Sequence, residues 1–221
     1  MIKAVLFDLD GTLANTLYDL SASGNYTLEK FGFPTHETEK YKYFVGNGMP
    51  NLIEQILPEE NRDEETKQKA LKCFKAHYRE HYTDKTVVYD GICDTVDFIK
   101  NMGIKVAVVS NKAHEMTLPL VEKLLSNRFD IVCGKQEGYP AKPDATLTLK
   151  VIKDLGVNPC ECLFVGDSGT DAKTSVNAGC TGIGVLWGFR KEDELLENGA
   201  KYIVKKPCEI VDIIQRLNNE G

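Results

Sequence analysis

Short apolar runs recur along the chain, and most are followed by polar residues and then by a stretch with helical periodicity. These runs hold branched and aromatic residues and almost no charge, which is typical of strands buried on both faces of a parallel sheet. From residue 87 onward strand and helix alternate, and such alternation requires right-handed parallel crossovers. We therefore predict an α/β fold, a doubly wound parallel sheet with a Rossmann-like core. The predicted strands cover residues 2–7, 104–109, 129–133, 162–165, 182–186 and 202–204.

The segment that follows the first strand has a different pattern. Its apolar residues recur at helical spacing, glycine and proline mark the ends of the helices, and no convincing strand is present. We therefore predict a small helical domain over residues 15–84, inserted into an α/β core made of residues 1–14 and 85–221.

Composition narrows the class of protein. The chain has 221 residues, of which 42% are hydrophobic and 27% charged, as in soluble globular proteins. The net charge of -6 and the lack of a Lys/Arg cluster argue against nucleic-acid binding. No apolar stretch approaches the roughly 20 residues of a membrane span, and the N-terminus lacks the layout of a signal peptide. We expect a cytoplasmic protein that binds neither nucleic acid nor membranes; a monomer and a homodimer both fit the sequence.

The seven cysteines include no Cys-x-x-Cys pair. Reduced thiols are the simplest interpretation, since no export signal accompanies them. Two helical histidines, His77 and His81, lie four residues apart and could form a zinc pair. No third ligand is evident, so a charged helix surface is the favoured interpretation.

The first strand ends in two aspartates, Asp8 and Asp10, followed by Gly11 and Thr12. Alternation along an extended chain places both carboxylates on the same side. Two carboxylates held close repel, so a proton or a cation must lie between them. Mg²⁺ prefers such hard oxygen ligands and commonly keeps substrate phosphate in its shell. Thr12 offers hydroxyl and amide donors to an anion, and Gly11 allows a sharp turn.

Polar side chains also follow the later strands. Ser110 and Asn111 follow the second strand, Lys142 lies in the loop after the third, and Asp167 and Asp171 follow the fourth. Because the carboxyl ends of parallel strands meet at one edge of the sheet, we expect these groups to lie close to Asp8 and Asp10. Each could be an ordinary cap or a solvated charge alone; together they suit metal-assisted phosphoryl transfer.

With these motifs the sequence resembles the haloacid dehalogenase-like superfamily, and within it most closely the phosphoglycolate phosphatases. The resemblance spans nearly the whole chain and implies that the helical insert is a mobile cap. The matching motifs are Asp8-Leu9-Asp10-Gly11-Thr12, Ser110-Asn111, Lys142-Pro143, and Gly166-Asp167 with Asp171.

The resemblance implies a Mg²⁺-dependent phosphatase of small phosphorylated metabolites. In that scheme Asp8 is the nucleophile that forms an aspartyl-phosphate, and Asp10 is the general acid and base. The metal is held by the Asp8 carboxylate, the Asp10 main-chain oxygen and Asp167. Asp171 is expected to orient metal waters or Lys142 rather than to bind the metal.

The resemblance also implies which groups bind the substrate phosphate. Lys142 adds a fixed positive charge against the nucleophile and the phosphoryl oxygens, and Ser110 and the amide of Asn111 donate hydrogen bonds to the phosphate. Asn15 and Ala145 depart from the pattern of many relatives, which carry Asp and Pro at these places. Neither residue touches the core chemistry, although Asn15 is expected near the hinge of the cap.

Other functions are compatible with parts of the pattern. A sugar-phosphate mutase, similar to beta-phosphoglucomutase, is the nearest alternative and shares the fold. A dehalogenase is disfavoured, because Asp10 and the acidic cluster suit phosphate rather than a carbon–halogen bond. A phospho-dependent binding module, with Asp8 only as phosphoacceptor, is disfavoured by Asp10 and by the expected cap.

Overall fold

The computed structural model describes residues 1–220; Gly221, which falls within the predicted core domain, lies outside the described residues. Within residues 1–220 no helix is long and apolar enough to traverse a bilayer. The strands are β1 (Ala4–Phe7), β2 (Ala14–Asn15), β3 (Val87–Val88), β4 (Lys105–Ala113), β5 (Ile131–Lys135), β6 (Cys162–Gly166), β7 (Thr181–Val185) and β8 (Tyr202–Val204). The α-helices are α1 (Leu17–Lys30), α2 (Tyr41–Phe44), α3 (Met49–Ile56), α4 (Glu64–His81), α5 (Ile92–Asn101), α6 (His114–Leu125), α7 (Thr146–Leu155), α8 (Gly169–Ala178), α9 (Glu192–Glu197) and α10 (Glu209–Glu220).

One sheet forms the centre of the molecule. Its strand order is β5-β4-β1-β6-β7-β8, and every neighbouring pair is parallel. All residues of β1 are fully buried, with Val5 and Phe7 in the core on one face of the sheet and Ala4 and Leu6 in the core on the other. Burial on both faces explains why this strand is uniformly apolar. The predicted α/β fold with a doubly wound parallel sheet is confirmed.

The order of the strands reverses at β1. The chain passes from β1 to β4 and β5 on one side, and then crosses to β6, β7 and β8 on the other. Such a reversal opens a crevice beyond the carboxyl ends of the strands. Because β4 and β6 both pair directly with β1, the residues that follow these three strands share that crevice.

Some element boundaries differ from the prediction. The second strand of the prediction was expected to end at residue 109, but β4 continues to Ala113, which pairs with Lys135 after a shift of register. Ser110 and Asn111 therefore lie within the strand rather than after it. β5 begins at Ile131 instead of Phe129. The short acidic helix α9 was not predicted, because its six residues carry too little apolar pattern.

Helices α1 to α4, which we call the helical insert, pack around a hydrophobic cluster that includes Leu28, Phe74 and Tyr78. The same cluster takes in Met116 of α6 and Phe189, so the insert packs directly on the sheet domain. At its base β2 and β3 form a short antiparallel ribbon. The ribbon is a further departure, since no strand was predicted at Asn15.

A buried carboxylate joins the insert to the returning chain. Asp19 in α1 is only 2% exposed, and its oxygens accept hydrogen bonds of 2.7 to 3.1 Å from the amides of Lys85 and Thr86 and from the Thr86 hydroxyl. Hydrogen bonds to an ionised acceptor are among the stronger ones in proteins. Asp19 therefore fixes α1 against the segment that leads back into the sheet.

We expect Asp19→Ala to lower the free energy of unfolding by about 3 kcal/mol, since it leaves buried donors without an acceptor. Urea unfolding measures the change. The exposed Asp90 supplies the control, and Asp90→Ala should stay within about 0.5 kcal/mol of the parent chain. Equal stability of the two variants would contradict the role given to Asp19.

Candidate active site

The end of β1 places Asp8 and Asp10 at the crevice. The Asp8 amide donates to the Val165 carbonyl of β6 at 2.9 Å, which keeps Asp8 in line with the sheet. Gly11 then turns the chain with φ +84, a conformation that favours glycine. The amides of Thr12, Leu13 and Ala14 all donate to the Leu9 carbonyl. This tight turn holds the two aspartates in fixed positions.

Three buried carboxylates converge beyond the strand ends. Asp8, Asp167 and Asp171 each present an oxygen within 4.8 Å of the others, and among residues 1–220 no other such group of potential metal ligands occurs. Asp167 Oδ2 accepts a hydrogen bond of 2.7 Å from the Phe189 amide, and Asp167 Oδ1 accepts one of 3.3 Å from the Thr12 hydroxyl. The structure thus brings together distant parts of the chain around an acidic pocket.

Lys142 is the cation of this pocket. Its Nζ atom lies 2.9 Å from Asp8 Oδ1 and 2.7 Å from Asp171 Oδ1, and it also donates to the Val109 carbonyl at 2.9 Å. Asn111 holds the loop that carries this lysine: its Oδ1 accepts from the Lys142 amide at 2.7 Å, and its Nδ2 donates to the Lys142 carbonyl at 3.1 Å. Lys142 is therefore a fixed charge rather than a solvated lysine.

Asp171 has a second task at the start of α8. Ser168 is the N-cap of this helix, and its hydroxyl and amide both donate to Asp171 Oδ2. The remaining oxygen, Oδ1, accepts from Lys142. Asp171 thus caps the helix and orients the lysine at the same time.

The buried pocket holds more carboxylates than cationic groups, and the pKa values of its residues reflect this imbalance. Burial raises the pKa of Asp8 to about 6, while the nearby Lys142 lowers it. Burial, followed by the charges of Asp171 and Asp8, raises the pKa of Asp167 well above its ordinary value. Burial alone would lower the pKa of Lys142, but Asp171 and Asp8 raise it, so the lysine stays charged. One ammonium faces three carboxylates, an imbalance that a divalent cation would correct.

The donor set fits such a cation. Hard carboxylate oxygens suit Mg²⁺, and Asp8 Oδ1 is a buried acceptor without a well-aligned hydrogen bond among residues 1–220. The surrounding backbone leaves no room for larger residues: a Cβ atom on Gly11 would lie 2.2 Å from Asp167 Oδ2, and one on Gly188 would lie 2.3 Å from Asp167 Cβ. The two glycines allow the backbone to close around Asp167.

Asp10 is not part of the three-carboxylate group and contacts a second buried lysine. Lys112 Nζ lies 3.2 Å from Asp10 Oδ1 and 3.4 Å from Asp10 Oδ2, and it donates to the Tyr78 hydroxyl at 2.7 Å. Neither Lys112 nor Tyr78 was predicted as a site residue. The only signal was the place of Lys112 directly after Ser110 and Asn111.

A small cavity lies between the sheet and the helical insert. Its volume is about 30 Å³, room for about two water molecules. On the sheet side it is lined by Asp8, Asp10, Ser110, Asn111 and Lys112, and on the insert side by apolar residues and glycines. The Thr12 side chain is fully buried and faces Asp167. Substrate-sized molecules require this cavity to be wider than it is in this conformation.

The family model described as haloacid dehalogenase-like hydrolase matches residues 5–185. The chain is a haloacid dehalogenase-like hydrolase. It is 32% identical over 218 residues to a phosphoglycolate phosphatase of Chromobacterium violaceum, with 97% of both chains covered. It is 30% identical to a phosphoglycolate phosphatase of Aquifex aeolicus, covering 96% of this chain and 97% of that one.

Solved structures agree with the family. A crystal structure of a Lactobacillus delbrueckii subsp. bulgaricus protein is 32% identical to the hydrolase and superposes with a TM-score of 0.91. The match covers 96% of this chain and 98% of that chain. The resemblance inferred from the sequence motifs is therefore confirmed.

The two histidines considered as a zinc pair, His77 and His81, each contact a nearby polar side chain. His77 Nδ1 lies 3.0 Å from the Ser23 hydroxyl, and His81 Nδ1 lies 2.8 Å from Asp84 Oδ2. No third metal ligand joins them within residues 1–220. All seven cysteines lie within the described residues as free thiols.

The close contact around Asp167 can be tested with two glycines of similar backbone conformation. Gly11 has φ +84 and Gly138 has φ +82, so alanine strains the backbone at both positions. A Cβ atom at Gly138 meets nothing within 4 Å, whereas one at Gly11 collides with Asp167. We expect Gly138→Ala to cost about 1 kcal/mol and Gly11→Ala at least about 2 kcal/mol more in urea unfolding. Equal costs would contradict the packing described for Asp167.

Proposed function

We propose that this hydrolase is a Mg²⁺-dependent phosphatase of small phosphorylated metabolites, with phosphoglycolate as the first candidate substrate. One observation carries the proposal: the buried group of Asp8, Asp167 and Asp171 with Lys142 at the switch point of the sheet. Relatives at 30 to 32% identity that match nearly the whole chain are named phosphoglycolate phosphatases, which supports the same reaction class.

Asp8 is the proposed nucleophile. One carboxylate oxygen attacks phosphorus, the bond from phosphorus to the ester oxygen breaks, and an aspartyl-phosphate forms. Water then attacks that phosphorus, which releases inorganic phosphate and restores the carboxylate. Lys142, 2.9 Å from Asp8 Oδ1, favours the ionised form of the carboxylate and offers charge to the phosphoryl oxygens.

Asp10 is the proposed general acid and base. It gives a proton to the departing ester oxygen in the first step and takes one from the attacking water in the second, so the proton count balances over a turnover. Asp10 lines the cavity on its sheet side, where the leaving group has to lie.

The Asp8 carboxylate, the Asp10 main-chain oxygen and Asp167 are the groups that would hold Mg²⁺. When bound, the ion supplies positive charge that lets an anionic phosphate approach the Asp8 carboxylate. Asp171 is not assigned as a metal ligand; its proposed part is to orient Lys142, which it contacts.

Thr12, Ser110, Asn111 and Lys142 are the proposed phosphate-binding residues. Ser110 and Asn111 line the cavity, which supports their part. The Thr12 hydroxyl donates to Asp167 and the Thr12 amide donates to the Leu9 carbonyl, each at 3.3 Å, so phosphate binding by Thr12 requires that it exchange one of these long contacts.

We further propose that residues 15–84 act as a cap over a core of residues 1–14 and 85–221. Several polar contacts join the insert to the sheet domain. Among them, Asn111 Nδ2 donates to the Gly46 carbonyl at 2.9 Å, an Arg190 guanidinium nitrogen donates to the Val45 carbonyl at 3.0 Å, and Lys112 Nζ donates to the Tyr78 hydroxyl at 2.7 Å. Breaking these contacts would widen the small cavity, and closure would exclude water during phosphoryl transfer.

A sugar-phosphate mutase remains the nearest alternative chemistry on this fold. Phosphate release and isomer formation, measured together on a panel of phosphorylated metabolites with Mg²⁺, distinguish the two activities. We expect release of inorganic phosphate without isomerisation. Accumulation of an isomer with little free phosphate would favour the mutase.

Asp8→Asn should lower kcat by at least about 10⁴-fold, because the amide is a poor nucleophile and removes the covalent step. Released phosphate measures turnover, and circular dichroism confirms that the variant is folded. Asp90→Asn, at an exposed position, is the control and should keep full activity. Normal activity of a folded Asp8→Asn enzyme would exclude the nucleophile assignment.

Stabilisation by Mg²⁺ should depend on pH. The pKa of Asp8 is raised in the folded chain from 3.8 to about 6. Without metal, the folded state therefore binds the proton more tightly, and this contribution to stability is lost as the pH rises from about 4 through about 6. Mg²⁺ binds the ionised form, so it should raise the melting temperature clearly at about pH 8 and much less at about pH 5.

Thermal unfolding with Mg²⁺ or with EDTA at both pH values measures this effect. Asp8→Asn should remove most of the shift at about pH 8, while Asp90→Asn should retain it. The same shift at both pH values, or no shift at all, would contradict a metal held by Asp8.

A further inference from the structure

A second buried lysine is placed beside the proposed general acid. Lys112 lies near the end of β4, and its side chain is only 2% exposed. Its ammonium contacts both oxygens of Asp10 at 3.2 and 3.4 Å, donates to the Tyr78 hydroxyl at 2.7 Å, and lies 4.7 Å from the centre of the Tyr78 ring. A buried ammonium persists only where such partners compensate for lost hydration.

The backbone of Lys112 is equally fixed. Its amide donates to the Ser110 hydroxyl at 3.2 Å, and its carbonyl accepts from the Thr117 hydroxyl at 3.1 Å. The lysine therefore reaches Asp10 from a rigid strand, as is required of a group that sets the position of another side chain.

Tyr78 belongs to the helical insert, whereas Asp10 and Lys112 belong to the sheet domain. The tyrosine is fully buried in α4, and burial raises its pKa to about 12, so its hydroxyl keeps its proton. The chain of contacts from Asp10 through Lys112 to Tyr78 thus crosses from one part of the molecule to the other. Lys112 also lines the cavity together with Asp10.

The two buried lysines divide the carboxylates between them. Lys142 contacts Asp8 and Asp171, and Lys112 contacts Asp10. Within residues 1–220, Lys112 is the only side chain that donates to the Asp10 carboxylate. The division keeps a nucleophile and a proton-transfer group as separate units.

We propose that Lys112 is a positioning residue for Asp10, and that Tyr78 of the helical insert supplies the contact that holds Lys112 in place. This inference rests on the proposed function, in which Asp10 protonates the leaving group. It assigns no direct contact with substrate to Lys112. The consequence is that correct placement of Asp10 depends on the insert packing against the sheet.

Leaving-group dependence tests the proposal. An alkyl phosphate such as phosphoglycolate needs a proton on its departing oxygen, whereas p-nitrophenyl phosphate releases a stable phenolate and needs little proton transfer. General acids contribute about 10² to 10⁴-fold in rate. We expect Lys112→Met to lower kcat/KM for the alkyl phosphate hydrolysed fastest by the parent enzyme by roughly 100-fold, and for p-nitrophenyl phosphate by less than about 10-fold.

The value of kcat/KM is the correct readout, because it reports the steps up to formation of the aspartyl-phosphate and is independent of its later hydrolysis. Lys153→Met is the matched control, since this lysine is exposed in α7. Lys153→Met should leave kcat/KM unchanged for both the alkyl phosphate and p-nitrophenyl phosphate. A loss that is equal for both esters, or no loss for either, overturns the proposal.

Tyr78→Phe provides a second test if Lys112→Met does not fold. It keeps the ring in the core and removes only the hydroxyl that accepts from Lys112. We expect the same selective loss for the alkyl phosphate, smaller at about 10-fold, and no further loss when Tyr78→Phe is added to a folded Lys112→Met enzyme. Additive effects, or an unselective loss from Tyr78→Phe, would refute the link through Lys112.

Different results would contradict the proposed phosphatase function and the proposed role of Lys112. If the parent enzyme released no phosphate from any ester, the proposed function would be wrong. If the parent enzyme were active and the ratio of the two kcat/KM values stayed unchanged in both variants, only the role of Lys112 would be wrong.

Discussion

Carboxylates gathered at the ends of parallel strands repel one another, and burial makes the repulsion stronger because water no longer screens it. Asp8, Asp167 and Asp171 are in this situation, with one lysine among them. The Phe189 amide and the Thr12 hydroxyl each donate to Asp167, which relieves part of the cost. A bound cation would offset the remainder. The pocket is thus built to be incomplete on its own, which is the property expected of a metal-binding site.

The same constraint explains why two lysines, Lys112 and Lys142, are buried beside these carboxylates. Lys142 contacts the carboxylates of Asp8 and Asp171, and Lys112 contacts that of Asp10, so lysine and carboxylate fix each other's positions. Buried pairs of this kind rarely increase stability over a hydrophobic replacement, because removing both charges from water is costly. Their value here lies in geometry: Lys142 and Lys112 hold Asp8 and Asp10 in separate, defined surroundings.

Much of this arrangement could be predicted from sequence. The carboxyl ends of parallel strands lie at the same edge of the sheet, and this does not depend on the segments that connect the strands. The sheet and the convergence of Asp8, Lys142 and Asp167 follow from that rule. Lys112 could not be found in the same way. Its partners lie 102 and 34 positions away along the chain, in Asp10 and in Tyr78, and no local pattern separates a buried lysine from a solvated one. The extension of β4 to Ala113 was equally hidden, since it depends on pairing with β5.

The ribbon of β2 and β3 has a consequence for how this architecture can vary. Ala14 pairs with Val88 and Asn15 with Val87, so the chain leaves the sheet domain and re-enters it at adjacent points. The segment between these points therefore starts and finishes at one place, where the pairing of β2 with β3 joins its two ends. A shorter, longer or entirely different segment can therefore be grafted between residues 15 and 87 while the strands that carry the aspartates keep their register. The ribbon therefore makes the insert exchangeable, and the proposed selection of substrate by the insert would be free to change while the edge of the sheet that carries the aspartates stays the same.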